Sequence, residues 1–147
     1  MPQNVVILNG PNLNMLGTRE PEIYGKQTLE DVRKLCRECA ASLSMKLDFF
    51  QSNHEGELID RVQQAGTDAK GLIINPAGFG HTSIALMDAL LGISIPTVEV
   101  HLTNIHKRER FRQHSYVSRA AHGVIMGFGS YGYLLALYAL NEMFKKK

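Results

Sequence analysis

The sequence predicts an α/β chain, a doubly wound sheet of five parallel strands covered by helices, and three observations predict it. Short apolar runs alternate along the chain with stretches patterned for helices. The runs carry apolar residues at successive positions, as in GLIIN at 71–75, which fits burial on both faces and hence a parallel sheet. The alternation fits within 147 residues, read as one domain at 1–147 and well short of the roughly 250 of a full α/β barrel.

NVVILN at 4–9 reads as the first strand. A helix is expected over 28–45, with Thr28 as N-cap and Asp31 in the third position after it. Leu29, Val32, Cys36, Cys39 and Leu43 fall on one face of that helix. Cys36 and Cys39 form a CxxC, but it lies inside the helical pattern rather than at its start, where a helix dipole would lower a thiol pKa. The pair is read as core packing, and no further ligands at zinc spacing accompany it. KLDFFQ at 46–51 is the second strand, and the helix over 55–66 should end at Gly66. After the strand at 71–75, a helix over 82–91 stops at Gly92. PTVEVH (96–101) and HGVIMG (122–127) are the remaining strands. The last helix, 131–144, is apolar almost all round, which suggests cover on two sides, another subunit being one source. Five such units fit a flavodoxin-like sheet.

Apolar residues make up 44% and charged residues 20%, which excludes a disordered chain. The formal charge of +2 is too small to predict a nucleic-acid partner, and the closing KKK reads as a solvated tail. No apolar run approaches the roughly 18 residues of a membrane span. The start, MPQNVVILNG, lacks the basic region of a signal peptide. A cytoplasmic protein with no membrane partner is expected.

In a sheet of this kind ligands bind beyond the C-terminal strand ends. NGPNLNMLGTREPEIYGKQ follows the first strand and is far longer than the usual connection of about 2–6 residues. SNHEG follows the second, NPAGFGHTS the third and HLTNIHKRERFRQHS the fourth. All four clusters are rich in Asn, His, Arg, Ser or Thr, and the fold should bring them to one rim. There is no GxGxxG or GxxxxGK[ST] phosphate loop, no GxSxG elbow and no metal-spaced His/Cys/Asp/Glu cluster. No lysine sits in an apolar strand where desolvation would prepare it for Schiff-base chemistry.

The residues that remain suit proton transfer without a cofactor or metal. A free phenol titrates near 10, and a cation within about 4–6 Å can lower that by roughly 1–3. Arg19 beside Tyr24 could thus yield a phenolate base; two solvated loop residues are the other reading. Glu99 and His101 lie on one strand face, where the carboxylate could orient the imidazole and keep it protonated. A partly buried His satisfied by a carbonyl is the alternative. Arg108 and Arg112, read as one helical turn apart, could hold an anionic or hydroxylated ligand or form a solvated basic face. Asn12, Asn75 and His81 stand at loop positions where turn residues and caps are common, and Asp88 reads as the wet side of its helix. By residues alone the chain is an α/β enzyme doing acid–base chemistry on a polar, anionic small molecule. A binding module using the basic segment 105–119 would show salt-sensitive nucleic-acid binding, and a flavin carrier would purify yellow.

NGPNLNMLGTREPEIYG closely resembles the N-terminal signature of the type II 3-dehydroquinate dehydratases. The similarity continues through SNHEGELID, NPAGFGHTSIALMDAL, VEVHLTNIHKRERFR and HS into the last helix. The resemblance implies a cofactor-free enzyme that converts 3-dehydroquinate to 3-dehydroshikimate and water, in aromatic biosynthesis or quinate catabolism. It implies a homododecamer built from trimers. It also implies roles. Tyr24 is the base, Arg19 its charge partner, and Asn12 stabilises the enolate by way of a water. His101 protonates the departing hydroxyl, with Glu99 orienting it. Asn75, Leu102 and Thr103 hold the carboxylate, His81 and Arg112 hold ring hydroxyls, and Asp88 reaches a neighbouring subunit's site. The segment around Pro21 would fold over the rim as a lid, excluding water from the enolate. The chain departs from the family pattern at Thr103, where serine is usual, and at Met15, where leucine is usual. It departs again at NPAGFGHTS, where NPGAxTHTS is common, so Ala77 and Gly80 should alter that loop.

Overall fold

A computed structural model describes residues 2–18, 22 and 25–146. Five strands form one sheet: β1 (Gln3–Asn9), β2 (Met45–Gln51), β3 (Gly71–Asn75), β4 (Thr97–His101) and β5 (Gly123–Met126). All neighbours are parallel, in the order β2-β1-β3-β4-β5. This is the doubly wound, flavodoxin-like order, and it answers the expectation from the apolar runs. Every residue of β3 and β4 is buried, as central strands covered on both faces must be.

Among the described residues four helices cover the sheet: α1 (Leu29–Ser42), α2 (Glu55–Asp68), α3 (Ile84–Leu91) and α4 (Tyr131–Lys145). α1 and α4 pack over one face around Val5, Ile7, Ile73, Val98 and Val100. α2 and α3 cover the other, around Leu8, Leu72 and Ile74. The alternation along β1 sends Ile7 to one cluster and Leu8 to the other.

Local chemistry sets several boundaries. Thr28 Oγ1 accepts the Asp31 N–H while Asp31 Oδ2 accepts the Thr28 N–H, a closed capping box that starts α1. α1 stops at Ser42, earlier than expected, because Ser44 turns into the left-handed region (φ 57) and Met45 already pairs with Gln3 in the sheet. α2 runs through Gly66 to Asp68 rather than stopping there. A Cβ at Gly66 would meet the Ile93 side chain at 2.5 Å, so this glycine serves helix packing, not helix termination. α3 starts at Ile84 because Ser83 caps it, its Oγ accepting the Leu86 N–H.

The face predicted for α1 is the one buried: Val32 and Cys36 are inaccessible, and Leu29, Cys39 and Leu43 pack beside them. Both cysteines are free thiols, and burial pushes Cys36 up to about 12. α4 is one-sided in the single chain: Tyr133, Ala136, Leu137 and Leu140 are buried, while Tyr131 and Tyr138 are exposed. Among the described residues no helix is long and apolar enough to cross a membrane.

Candidate active site

β1 and β3 lie side by side, but the chain leaves β1 toward β2 and leaves β3 toward β4. Their C-terminal ends therefore open a crevice, the place where ligands bind in such sheets. A cavity of about 150 Å³ lies there. Three segments wall it: Pro11 to Leu16 after β1, Asn75 to His81 after β3, and His101 to Arg112 at and beyond the end of β4.

The segment after β1 is held from below. Gly10 donates its N–H to Asn75 O at 2.8 Å. It must be glycine, because a Cβ would run into the Pro76 carbonyl. Gln51 Nε2 donates to Gly10 O and to Asn53 Oδ1, both at 3.1 Å, and Asn53 Oδ1 accepts the Asn12 N–H at 2.9 Å. Asn12 itself takes a left-handed conformation (φ 70), which asparagine tolerates. SNHEG, expected at the rim with the other three clusters, does not join the cavity wall. Its Asn53 instead props up the Asn12 backbone.

The segment after β4 carries the most organised chemistry. Glu99 is fully buried, and His101 is 5% exposed in the cavity wall. His101 Nε2–H donates to Glu99 Oε2, which also accepts the Ser115 hydroxyl at 2.7 Å. Glu99 Oε1 accepts the Ser118 hydroxyl. Burial pushes the Glu99 carboxyl up. The His101 hydrogen bond, the His101 charge and the two serines outweigh it and hold the group below its ordinary value. An ionised Glu99 requires the proton on Nε2, which leaves Nδ1 as the ring atom with no partner among the described residues.

His81 lies parallel to His101, ring centroids 6.3 Å apart. His81 Nδ1–H donates to His114 O at 2.7 Å, and His114 Nε2–H donates to His81 O at 2.9 Å. Burial pushes His81 below its ordinary value, against the carbonyl bond from His114. A neutral ring donating through Nδ1 leaves an acceptor lone pair on Nε2, suited to a ligand hydroxyl. Thr103 and Leu102 complete the wall beside His101. Arg108 and Arg112 both reach the cavity, but not along one helical turn. They lie in separate short 3-10 turns, Ile105–Lys107 with Arg108 following and Arg110–Arg112, and Glu109 bridges them by ion pairs to each.

Ala77 lies in the left-handed region (φ 51), where an alanine is strained. Gly80 faces the opposite constraint. A Cβ there would sit 3.0 Å from Pro76 Cγ and 3.1 Å from Ser115 Oγ, so its absence lets this loop close on Ser115.

Of the sequence-predicted residues, Asn12, Asn75, His81, His101, Leu102, Thr103 and Arg112 share the cavity wall, with Glu99 behind His101. Asp88 is exposed on α3, away from the wall of this cavity in the single chain. Arg19 and Tyr24 lie outside the described residues. Sequence reasoning missed Ser115, Ser118 and His114 as partners of the histidine system. Nothing local marks a serine that serves a carboxylate 16 or 19 residues away, and the HS pair at 114–115 stands out only as part of a motif.

The dehydroquinase class II family model matches residues 3–141. The 3-dehydroquinate dehydratase 1 of Bradyrhizobium diazoefficiens is 62% identical over 137 residues, covering 92% of this chain and 88% of its own. Catabolic 3-dehydroquinase 1 of Neosartorya fischeri is 51% identical, covering 100% of this chain and 98% of its own. The crystal structure of the type II dehydroquinase from Propionibacterium acnes superposes with a TM-score of 0.93 at 41% identity, covering 97% of this chain and 98% of that one.

Proposed function

Because the chain belongs to the dehydroquinase class II family, it is an enzyme that removes water from 3-dehydroquinate, and we propose that it does so with Tyr24 as base and His101 as acid. The product is 3-dehydroshikimate, in the shikimate or the quinate pathway. What supports the assignment of roles is one observation: an imidazole in the wall of the rim cavity, backed by a buried, ionised carboxylate that two serines hold in place.

In the proposed mechanism the Tyr24 phenolate, favoured by the Arg19 charge, takes a proton from the carbon next to the ketone. The electron pair moves onto the ketone oxygen as an enolate, and Asn12 steadies that charge through a water. The enolate then collapses and expels the hydroxyl at the adjoining carbon. The His101 imidazolium gives its Nδ1 proton to that hydroxyl, which departs as water. One proton has been taken by the phenolate and one given by the imidazolium, and solvent exchange restores both groups. Glu99 acts through His101, fixing the Nε2–H and stabilising the positive ring. Asn75, Leu102 and Thr103 hold the substrate carboxylate. His81 and Arg112 hold the ring hydroxyls, His81 by its free Nε2. No cofactor or metal enters any step.

The same reading makes the enzyme a cytoplasmic homododecamer of trimers, with Asp88 reaching a neighbouring subunit's site. Ile84 and Leu91, 53% and 57% exposed on the same face of α3 as Asp88, support a covered surface there. Light scattering on purified protein tests the assembly.

The role assignment is tested by mixing chelator-treated protein with 3-dehydroquinate and following the ultraviolet absorbance of the conjugated enone. Wild type should form product, and Tyr24→Phe should be slower by orders of magnitude. Equal activity in the two would remove Tyr24 as the base.

A further inference from the structure

We infer that Tyr133 is a positioning residue for the substrate, acting through Asn75. Tyr133 lies on α4, is fully buried and does not line the cavity. Its hydroxyl donates to Asn9 Oδ1 at 2.6 Å and accepts from Asn75 Nδ2 at 2.9 Å. The chain of bonds ends on the backbone at both sides. Asn9 Nδ2 donates to Phe50 O at 3.2 Å, and Asn75 Oδ1 accepts the Ala77 N–H at 3.1 Å.

Those two backbone ends dictate the direction of every bond between them. Phe50 O can only accept, so Asn9 turns its NH2 to it and presents Oδ1 to Tyr133. Tyr133 must then spend its one proton on Asn9, so it can only accept from Asn75. The Ala77 N–H can only donate, which calls for Asn75 Oδ1 on that side. Asn75 therefore has one orientation, with Nδ2 on the Tyr133 side. One Nδ2 hydrogen goes to Tyr133, and the other has no acceptor among the described residues. Asn75 forms part of the cavity wall. A carboxylate can use that hydrogen, whereas the flipped amide would set a carbonyl oxygen against it. Burial raises the Tyr133 phenol far above its ordinary value, so the hydroxyl stays protonated and the chain of bonds keeps its direction at any working pH.

This inference rests on the reading that Asn75 holds the substrate carboxylate, and the experiment separates the two. Steady-state kinetics would be measured for Tyr133→Phe, Asn75→Ala, the double variant and Leu137→Val. The last is a core change one turn further along α4 that touches none of the hydrogen bonds. Removing the hydroxyl should raise KM roughly tenfold with kcat within about twofold, the pattern of a lost binding contact made equally in ground and transition states. Asn75→Ala should raise KM at least as much, and the double variant no more than Asn75→Ala alone. Leu137→Val should lower Tm without moving KM. An unchanged KM in Tyr133→Phe alongside a raised KM in Asn75→Ala would overturn the inference and leave the role of Asn75 standing. An unchanged KM in Asn75→Ala would overturn both. Equal KM increases in Leu137→Val and Tyr133→Phe would reduce Tyr133 to core packing. If Tyr133→Phe does not fold, Asn9→Leu tests the same chain from its other end and should raise KM in the same way; no change would overturn the inference.

Discussion

Replacing Glu99 by glutamine keeps the side chain's shape and removes its charge. Three donors converge on this carboxylate: His101 Nε2–H and Ser115 on Oε2, and Ser118 on Oε1. Glutamine offers one acceptor oxygen and one NH2. If the oxygen faces His101 and Ser115, the NH2 faces Ser118, whose hydroxyl can turn and accept. Every buried polar group can then keep a partner, and the loss is confined to charge assistance. That loss should cost about 1–2 kcal/mol in stability, or roughly 2–8 °C in Tm for a chain of this size. Catalysis should suffer more. The imidazolium form of His101 loses its counter-charge, and acid catalysis is typically worth about 10²–10⁴ in rate. We expect kcat and kcat/KM to fall together by about 10²–10³ at neutral pH, followed by enone absorbance, with the Tm loss measured by calorimetry. A variant within about threefold of wild type would refute the idea that this pair delivers the proton. Wholesale unfolding at the assay temperature would instead refute the claim that every buried polar group keeps a partner, because the substitution would then have acted through the fold.

Three further outcomes follow from the geometry. Ala77→Gly should raise stability. Left-handed backbone costs an L residue about 1–2 kcal/mol and glycine's extra unfolded freedom returns about 0.4–1, so a net gain near 0.5–1 kcal/mol should appear as a Tm higher by about 1–4 °C. Because the folded-state pKa of Glu99 is depressed, its contribution is complete above the unfolded value near 4.5 and is lost as pH falls through the depressed value. Thermal melts should show an acid limb below that pH that is shallower in Glu99→Gln. Gly66→Ala should destabilise by about 1–3 kcal/mol, despite alanine's better helix propensity, because its methyl would meet Ile93; a chemical denaturation midpoint measures it.

How much was legible in the sequence depended on how local each cause is. The Thr28–Asp31 box, the buried β3 run and the period-2 placement of Glu99 and His101 are written within a few residues, and the structure repeats them. Gly66 misled because what makes it glycine is Ile93, 27 residues on. Arg108 and Arg112 kept their place in the cavity although their helical spacing did not hold, since two 3-10 turns converge on the same wall. Ser115, Ser118 and Tyr133 were illegible for a common reason: a hydroxyl gives no hint of its partner until the sheet has brought that partner near.

The connection from β4 to β5, residues 102–122, contains no α-helix, only three short 3-10 turns. It nevertheless supplies the arginine walls, both serines on Glu99 and the His114 partner of His81. In the proposed mechanism, ligand charge matching and the support of the proton donor on β4 thus depend on one uninterrupted length of backbone. An insertion or deletion there would shift affinity and proton transfer at once. Divergence toward a new substrate should therefore proceed by point replacement in this stretch, with length changes confined to the connections that face away from the crevice.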